Sequence, residues 1–167
     1  MNPETISPIG AVRKFVARTE RNAASFVIIA RNTGKTIWLL VVDDPTKYGT
    51  TPDGRIMRRI GFPGGKAKPG ETSQEAAERE VLEEVGLQIN LGSATSDLLL
   101  NLMIIDVNQG RKPHKFTAFS TFDFRGKVVP GEDIKRAFWV PVQDLLNRSN
   151  LLENHRAALK IFARKYT

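Results

Sequence analysis

Residues Ala24 to Ala30 and Thr36 to Val42 are dense in Val, Ile, Phe and Trp, and Asn32-Thr33-Gly34 lies between them. Short apolar runs closed by turn residues predict two central strands joined as a hairpin. Asp43 to Gly54, rich in Asp, Pro, Gly and Thr, reads as a surface loop, and Arg58 to Phe62 as a short strand ending at Pro63-Gly64-Gly65. The spacing then turns helical. Thr72 or Ser73 offers a capping oxygen, Glu75, Glu78 and the alanines between them carry a helix to about Val85, and Gly86 stops it. Asp97 to Val107 and Lys115 to Phe124 predict strands around a loop, Asn108 to His114, and Lys135 to Val140 predicts another strand. Pro141 suits the first turn of a helix, so Val142 to Asn147 reads as a short helix and Leu151 to Lys165 as a longer one. Strands, helix, strands, helices in that order predict a mixed α/β or α+β sandwich with helices on the sheet faces.

Size fits this picture. The chain has 167 residues, 41% of them apolar, which predicts one compact domain over 1–167 with its own core. Charged residues make up 26% with no long block of one sign, so the chain is expected to fold. The longest apolar runs, Phe26 to Ala30, Ile37 to Val42 and Leu98 to Val107, fall short of the roughly 20 residues that span a bilayer. Met1-Asn2-Pro3-Glu4-Thr5 has neither the basic end nor the apolar stretch of a secretion signal. Cysteine is absent, which excludes disulfides and thiolate metal sites and is compatible with the expected cytoplasmic location. A net charge of +7 favours anionic partners without choosing among nucleotides, nucleic acid or a merely basic surface.

The chemistry concentrates between Gly65 and Leu87. On a helix Glu80, Glu83 and Glu84 stand at i, i+3 and i+4, so three carboxylates share one face while Ala77, Val81 and Val85 occupy another. Such carboxylates repel one another by a few tenths of a kcal/mol per pair, and a divalent cation would neutralise them. Oxygen ligands suit hard Mg²⁺, which is commonly shared between carboxylates and substrate phosphates. Pro63-Gly64-Gly65 adds backbone that can approach a metal or phosphate closely. Glu71 precedes the helix body and Arg79 lies within it, and an ion pair between them would lock loop to helix.

Gly65, five residues, Glu71, seven residues, then Arg79-Glu80-Val81-Leu82-Glu83-Glu84-Val85-Gly86-Leu87 fills every fixed position of the Nudix box, so the chain resembles the Nudix hydrolases. Phe62-Pro63-Gly64-Gly65-Lys66 resembles the start of the box in MutT-like members. The resemblance implies an α/β/α sandwich around a central mixed sheet. It implies Mg²⁺, or Mn²⁺ in its place, held by Glu80, Glu83, Glu84 and the Gly65 carbonyl, with Glu71 and Arg79 as structural support. It further implies hydrolysis of a diphosphate linkage in a nucleoside diphosphate derivative, a nucleoside triphosphate or a nucleotide sugar. Glu83 is then a candidate for the catalytic carboxylate and Lys66 for substrate binding. In many relatives another glutamate precedes a late strand ending in Trp-aliphatic-Pro. Gly131-Glu132-Asp133 ahead of Ala137-Phe138-Trp139-Val140-Pro141 makes Glu132 that residue, with Asp133 behind it and a plain acidic turn as the alternative.

The rival function is a catalytically silent nucleotide-binding regulator with the same fold. Nucleic acid enters only as a capped or triphosphorylated end, because no RNA-binding motif is present, and homodimers are frequent in the family. His114 and His155 have no serine or cysteine arranged with them as a triad, so neither receives a catalytic role. His114, in a basic loop, is either solvated or facing a substrate phosphate. Trp38, Trp139 and Phe62 read as core, and Arg13, Lys14, Arg18, Arg21, Arg55, Arg58 and Arg59 as a basic surface.

Overall fold

The computed structural model describes residues 23–50, 53–104 and 114–167. Its first hairpin is the predicted one. Strand β1 (Ala23–Asn32) pairs antiparallel with β2 (Ile37–Thr50), Ala30 opposite Leu39, and the Gly34 amide donates to the Asn32 Oδ1 at 2.8 Å to close the turn. Phe26, Ile28 and Ala30 face one core cluster and Val27 and Ile29 the other, which is why β1 is apolar along its length rather than alternating.

The predicted loop from Asp43 to Gly54 is in large part strand. Past Val42, β2 continues to Thr50 against β3 (Ile56–Gly61), from Val42 opposite Gly61 to Thr50 opposite Ile56, with an irregularity between Asp43 and Tyr48. Pro45 falls inside that irregularity. Proline has no amide for a ladder, so it is tolerated where pairing is interrupted, and the strand resumes beyond it. Two short strands, β4 (Gly64–Lys66) and β5 (Gln88–Ile89), had no signal in the sequence, and the strand predicted over Lys115 to Phe124 ends at Thr121, with β8 (Phe124–Arg125) a separate strand paired to β5. At two or three residues each, they are made by backbone pairing and carry no period to read.

Helix α1 (Ser73–Val85) begins and ends where expected. Thr72 caps it reciprocally: the Glu75 amide donates to the Thr72 hydroxyl oxygen at 3.1 Å and the Thr72 amide to the Glu75 carboxylate at 2.9 Å. Gly86 ends it in the left-handed region, φ 70°, its amide donating to the Leu82 carbonyl. Strands β6 (Ser96–Ile104), β7 (His114–Thr121) and β9 (Arg136–Pro141) follow, then helices α2 (Val142–Leu146) and α3 (Glu153–Tyr166). His114 is half-buried at the start of β7, opposite Ile104. Most of the predicted 108–114 loop, and Arg13, Lys14, Arg18 and Arg21, lie outside the described residues.

The main sheet runs β3-β2-β1-β7-β6, with β4 added to β1 and β9 to β2. It is mixed, because β1 and β7 are parallel and the other pairs antiparallel. Ala77, Val81 and Val85 of α1 pack on Val27, Ile29, Leu40 and Val42, while Leu145 of α2 and Ala158, Leu159 and Phe162 of α3 pack on Ile28, Leu39 and Val41 across the sheet. The result is an α+β sandwich with helices on both faces. Phe62 is core as predicted, whereas Trp38 and Trp139 are only half-buried. Trp139 sits on β9, which among the described residues pairs with β2 alone, so one rim of its ring stays open and the Arg31 guanidinium lies 4.6 Å above its centre. Among the described residues no helix is long and apolar enough to cross a membrane.

Candidate active site

Three successive residues before the carboxylate helix are tied down by backbone. The Pro63 carbonyl accepts from the Val27 amide at 3.0 Å, Gly64 pairs with Phe26, and Gly65 pairs with Ser25. This fastens the turn to the centre of the sheet, while α1 packs over the same face. The Gly64 amide points at the helix and donates to the Glu84 Oε2 at 2.9 Å. A Cβ on Gly65 would lie 2.5 Å from the Glu80 carboxylate, so a side chain there would displace that carboxylate from the turn. Glu80 and Glu84 therefore both reach the Gly64-Gly65 backbone, and Glu83 stands beside them with half its side chain exposed.

Glu71 and Arg79 are joined as a fork. The Arg79 Nε donates to the Glu71 Oε1 at 2.7 Å and the Arg79 Nη2 to the Glu71 Oε2 at 3.0 Å, while the Lys68 amide donates to the same Oε2 at 2.7 Å. Arg79 reaches further, donating through Nη1 to the Glu80 Oε1 at 2.9 Å and the Glu83 Oε2 at 3.0 Å, and through Nη2 to the Lys66 carbonyl at 3.0 Å. The hydrogen bond from Arg79, opposed by partial burial and aided by the Lys68 amide, draws the Glu71 carboxyl from 4.5 down to about 2. The same bond, with Glu80 adding to it, raises the guanidinium further above its already high value.

The carboxylate repulsion anticipated from the sequence is thus offset within the chain by Arg79, and weakly by Lys68, whose Nζ is 3.8 Å from the Glu83 Oε1. Among the described residues no three His, Asp or Glu side chains stand ready as a ligand set. The reason is local: Arg79 draws one oxygen from each of Glu80 and Glu83, and Glu84 is turned to the Gly64 amide. The donor chemistry nevertheless fits a hard divalent ion. Arg79 uses only the Oε1 of Glu80 and the Oε2 of Glu83, so Glu80 keeps a second oxygen and that of Glu83 meets only the long Lys68 contact, while Gly65 leaves the space against which Glu80 rests.

Lys66 is exposed, with its carbonyl turned to Arg79. The loop bearing Glu132 is anchored to the end of α1, the Val129 amide donating to the Val85 carbonyl at 2.9 Å and the Gly131 amide to the Glu84 carbonyl at 2.8 Å. Glu132 and Asp133 themselves are exposed and join none of the box carboxylates. Ser25 escaped the sequence reading. It is 3% exposed, opposite Gly65, and its Oγ has no hydrogen-bond partner among the described residues. The sole hint is a hydroxyl inside the apolar run of β1. Of the basic cluster, Arg55 pairs with Asp53 and Arg58 turns toward Asp43, so these two charges are already answered within the chain.

Comparison with known proteins adds lineage to this geometry. The family model described as NUDIX domain matches residues 20–164. A Mycobacterium tuberculosis (strain CDC 1551 / Oshkosh) protein named as the mutator protein MutT4 is 32% identical over 114 residues, 63% of this chain. The match takes in 43% of that relative, so the chain spans less than half its length. The crystal structure of a MutT NUDIX hydrolase from Burkholderia pseudomallei superposes with a TM-score of 0.61 at 23% identity, covering 83% of this chain and 95% of that one. The NUDIX domain of Shewanella oneidensis NrtR, complexed with ADP ribose, gives 0.64 at 13% identity over 88% and 89%. At such identities these two structures establish the fold.

Proposed function

Since the chain belongs to the NUDIX domain family, we propose that it is a Mg²⁺-dependent pyrophosphohydrolase that splits a diphosphate linkage in a nucleoside triphosphate or a nucleotide sugar. The observation that carries this reading is the approach of Glu80 and Glu84 to the Gly64-Gly65 backbone, with Glu83 alongside and Arg79 bracing the group. In this reading Glu80, Glu83, Glu84 and the Gly65 carbonyl hold Mg²⁺, or Mn²⁺ in its place. An ion held there would supply charge neutralisation for the diphosphate and would make water easier to deprotonate.

The chain's own residues do the rest. Glu83, the most exposed of the three box carboxylates with 53% of its side chain accessible, accepts the proton of the attacking water. Glu132 assists from a loop whose backbone is fixed to the helix end while its side chain is exposed. Arg79, neutralised first by Glu71, keeps Glu80 and Glu83 oriented before substrate arrives. Lys66, exposed beside the turn, meets a substrate phosphate. A single 1–167 domain in the cytoplasm, associating as a homodimer, completes the reading.

The deciding experiment incubates the purified protein and Mg²⁺ with a panel of nucleoside triphosphates, dinucleotides and nucleotide sugars, and detects phosphate and nucleoside monophosphate. Turnover that stops on chelation supports the hydrolase. Saturable nucleotide binding with no product in any reaction would replace it with the silent regulator.

A further inference from the structure

His155, given no role by its sequence context, is 7% exposed on α3 and lies in an aromatic nest. Its ring stacks on Phe26 with centroids 3.9 Å apart, runs nearly parallel to Phe62 at 5.7 Å, and tilts against Phe116 at 6.4 Å. A phenylalanine or leucine would fill such a nest without the cost of burying polar nitrogens. What the imidazole adds is an acceptor: the Phe62 amide donates to the His155 Nδ1 at 2.9 Å, across 93 residues of sequence. The chain is shaped around that contact, because a Cβ on Gly61 would lie 2.8 Å from the same nitrogen.

The location of this bond gives it a consequence. Pairing of β3 with β2 ends at Gly61, so the Phe62 amide is buried with no strand partner and is satisfied by α3 instead. The next residue is held through its carbonyl by β1, and the one after through its amide by Glu84 of α1. Phe62 is thus tied to α3, Pro63 to β1, and Gly64 to both β1 and α1. Removing the first tie leaves an unsatisfied buried amide, which the chain can relieve only by moving the turn.

We propose that His155 is a positioning residue for the turn that ends in Gly65. Through the Phe62 amide it sets where the Gly64 amide and the Gly65 backbone meet Glu84 and Glu80, and so how tightly the site grips a divalent cation. This rests on the metal reading above, and it assigns to the far face of the sheet a part in a site on the near face.

The test pairs two substitutions that divide the properties of the ring. His155→Phe keeps the stack and loses the acceptor, whereas His155→Asn places an oxygen on the branch of the Nδ1 and loses most of the stack. On the intact protein, Mn²⁺ affinity is measured without substrate by electron paramagnetic resonance, together with thermal midpoint and exchange of the Phe62 amide hydrogen. Both variants should melt below the wild type. His155→Phe should bind Mn²⁺ about 10- to 100-fold more weakly, as expected when a residue supporting a metal ligand is lost, with faster Phe62 exchange, while His155→Asn should stay within about threefold of wild type. Gly61→Ala, which pushes the ring off the amide and keeps both properties of histidine, should move affinity the same way by less. Equal Mn²⁺ affinity in wild type, His155→Phe and Gly61→Ala, or affinities that follow melting temperature alone, would overturn the proposal. A wild-type protein that binds no Mn²⁺ would instead remove the metal reading, a distinct result because Phe62 exchange still reports the His155 contact.

Discussion

Arg79 and Asp43 each gather opposite charges around them, and the more deeply buried of the two clusters is the worse bonded. Around Arg79 the contacts to Glu71, Glu80 and Glu83 run from 2.7 to 3.0 Å, and the guanidinium also reaches a backbone carbonyl. Around Asp43, which is 3% exposed, Arg58 and Arg136 approach only to 3.3 Å, the Asp43 Oδ1 and the Arg58 Nε lack hydrogen-bond partners among the described residues, and Arg136 is 62% exposed. Depth does not mark the organised site. Completeness of the arginine's hydrogen bonding does, because a guanidinium with every donor satisfied specifies one geometry whereas a half-satisfied one specifies none. The first cluster holds a turn and a helix in fixed relation, and the second sits at the irregularity of β2, where strand pairing is interrupted.

The sharpest way to break this contrast is to neutralise one carboxylate in each cluster and assay turnover. Glu84→Gln keeps an oxygen that can accept from the Gly64 amide, so the turn and the thermal midpoint should hold. Loss of its charge from the proposed metal site should lower kcat by about 10²-fold or more. Asp43→Asn should leave kcat within about twofold. Comparable losses in the two variants, or an unchanged kcat in Glu84→Gln, would show that the tight cluster is no better adapted to chemistry than the loose one.

The tight cluster was also the legible one. Thr72, Glu75, Glu80, Glu83, Glu84 and Gly86 have roles set by spacing along one helix, so sequence alone placed the cap, the acidic face and the stop. Glu71 and Arg79 were readable as a pair because the helix begins between them. Ser25 and His155 were not, since each acquires its importance from a partner brought near by the sheet: Gly65 across a ladder for one, Phe62 across 93 positions for the other. The run from Asp43 to Gly54 misled for a related reason. Its Pro and Asp residues signal a turn locally, yet pairing with β3 restores the strand beyond them. Nothing in single-strand propensity reports the strand that will pair with it.

Stability sharpens the comparison further. Arg79→Met would strand Glu71 and Glu80, whose side chains are only 20% and 17% exposed, and should cost about 3 kcal/mol by urea unfolding. A cost below about 1 kcal/mol would mean that the short distances reflect a surface pair of little weight. Acid should expose the same bond. The Glu71 carboxyl is depressed from 4.5 to about 2, so the folded state binds its proton less readily than the unfolded chain does. Its contribution is therefore fully present above 4.5 and is lost as pH falls through about 2. Allowing for solvent access, that is about 2 kcal/mol, and Arg79→Met should flatten this part of the stability profile between pH 4.5 and 2. An unaltered profile would assign the acid sensitivity to other carboxylates.

The smallest effect should come from the most buried carboxylate. Asp43→Asn removes a charge held by two long contacts and leaves Arg136, 62% exposed, and Arg58, 31% exposed, both with access to water. Water can solvate the two arginines once their partner is neutral, and an amide is cheaper to bury than an under-bonded carboxylate. The unfolding free energy should then change by less than about 1 kcal/mol. The strand irregularity should survive, because Lys135 donates its amide to the Asp43 carbonyl at 2.9 Å and that bond does not involve the side chain. A cost above about 2 kcal/mol would reverse the ranking of the two clusters, since it would show that weakly bonded charges at depth bind the fold together as firmly as the satisfied network around Arg79.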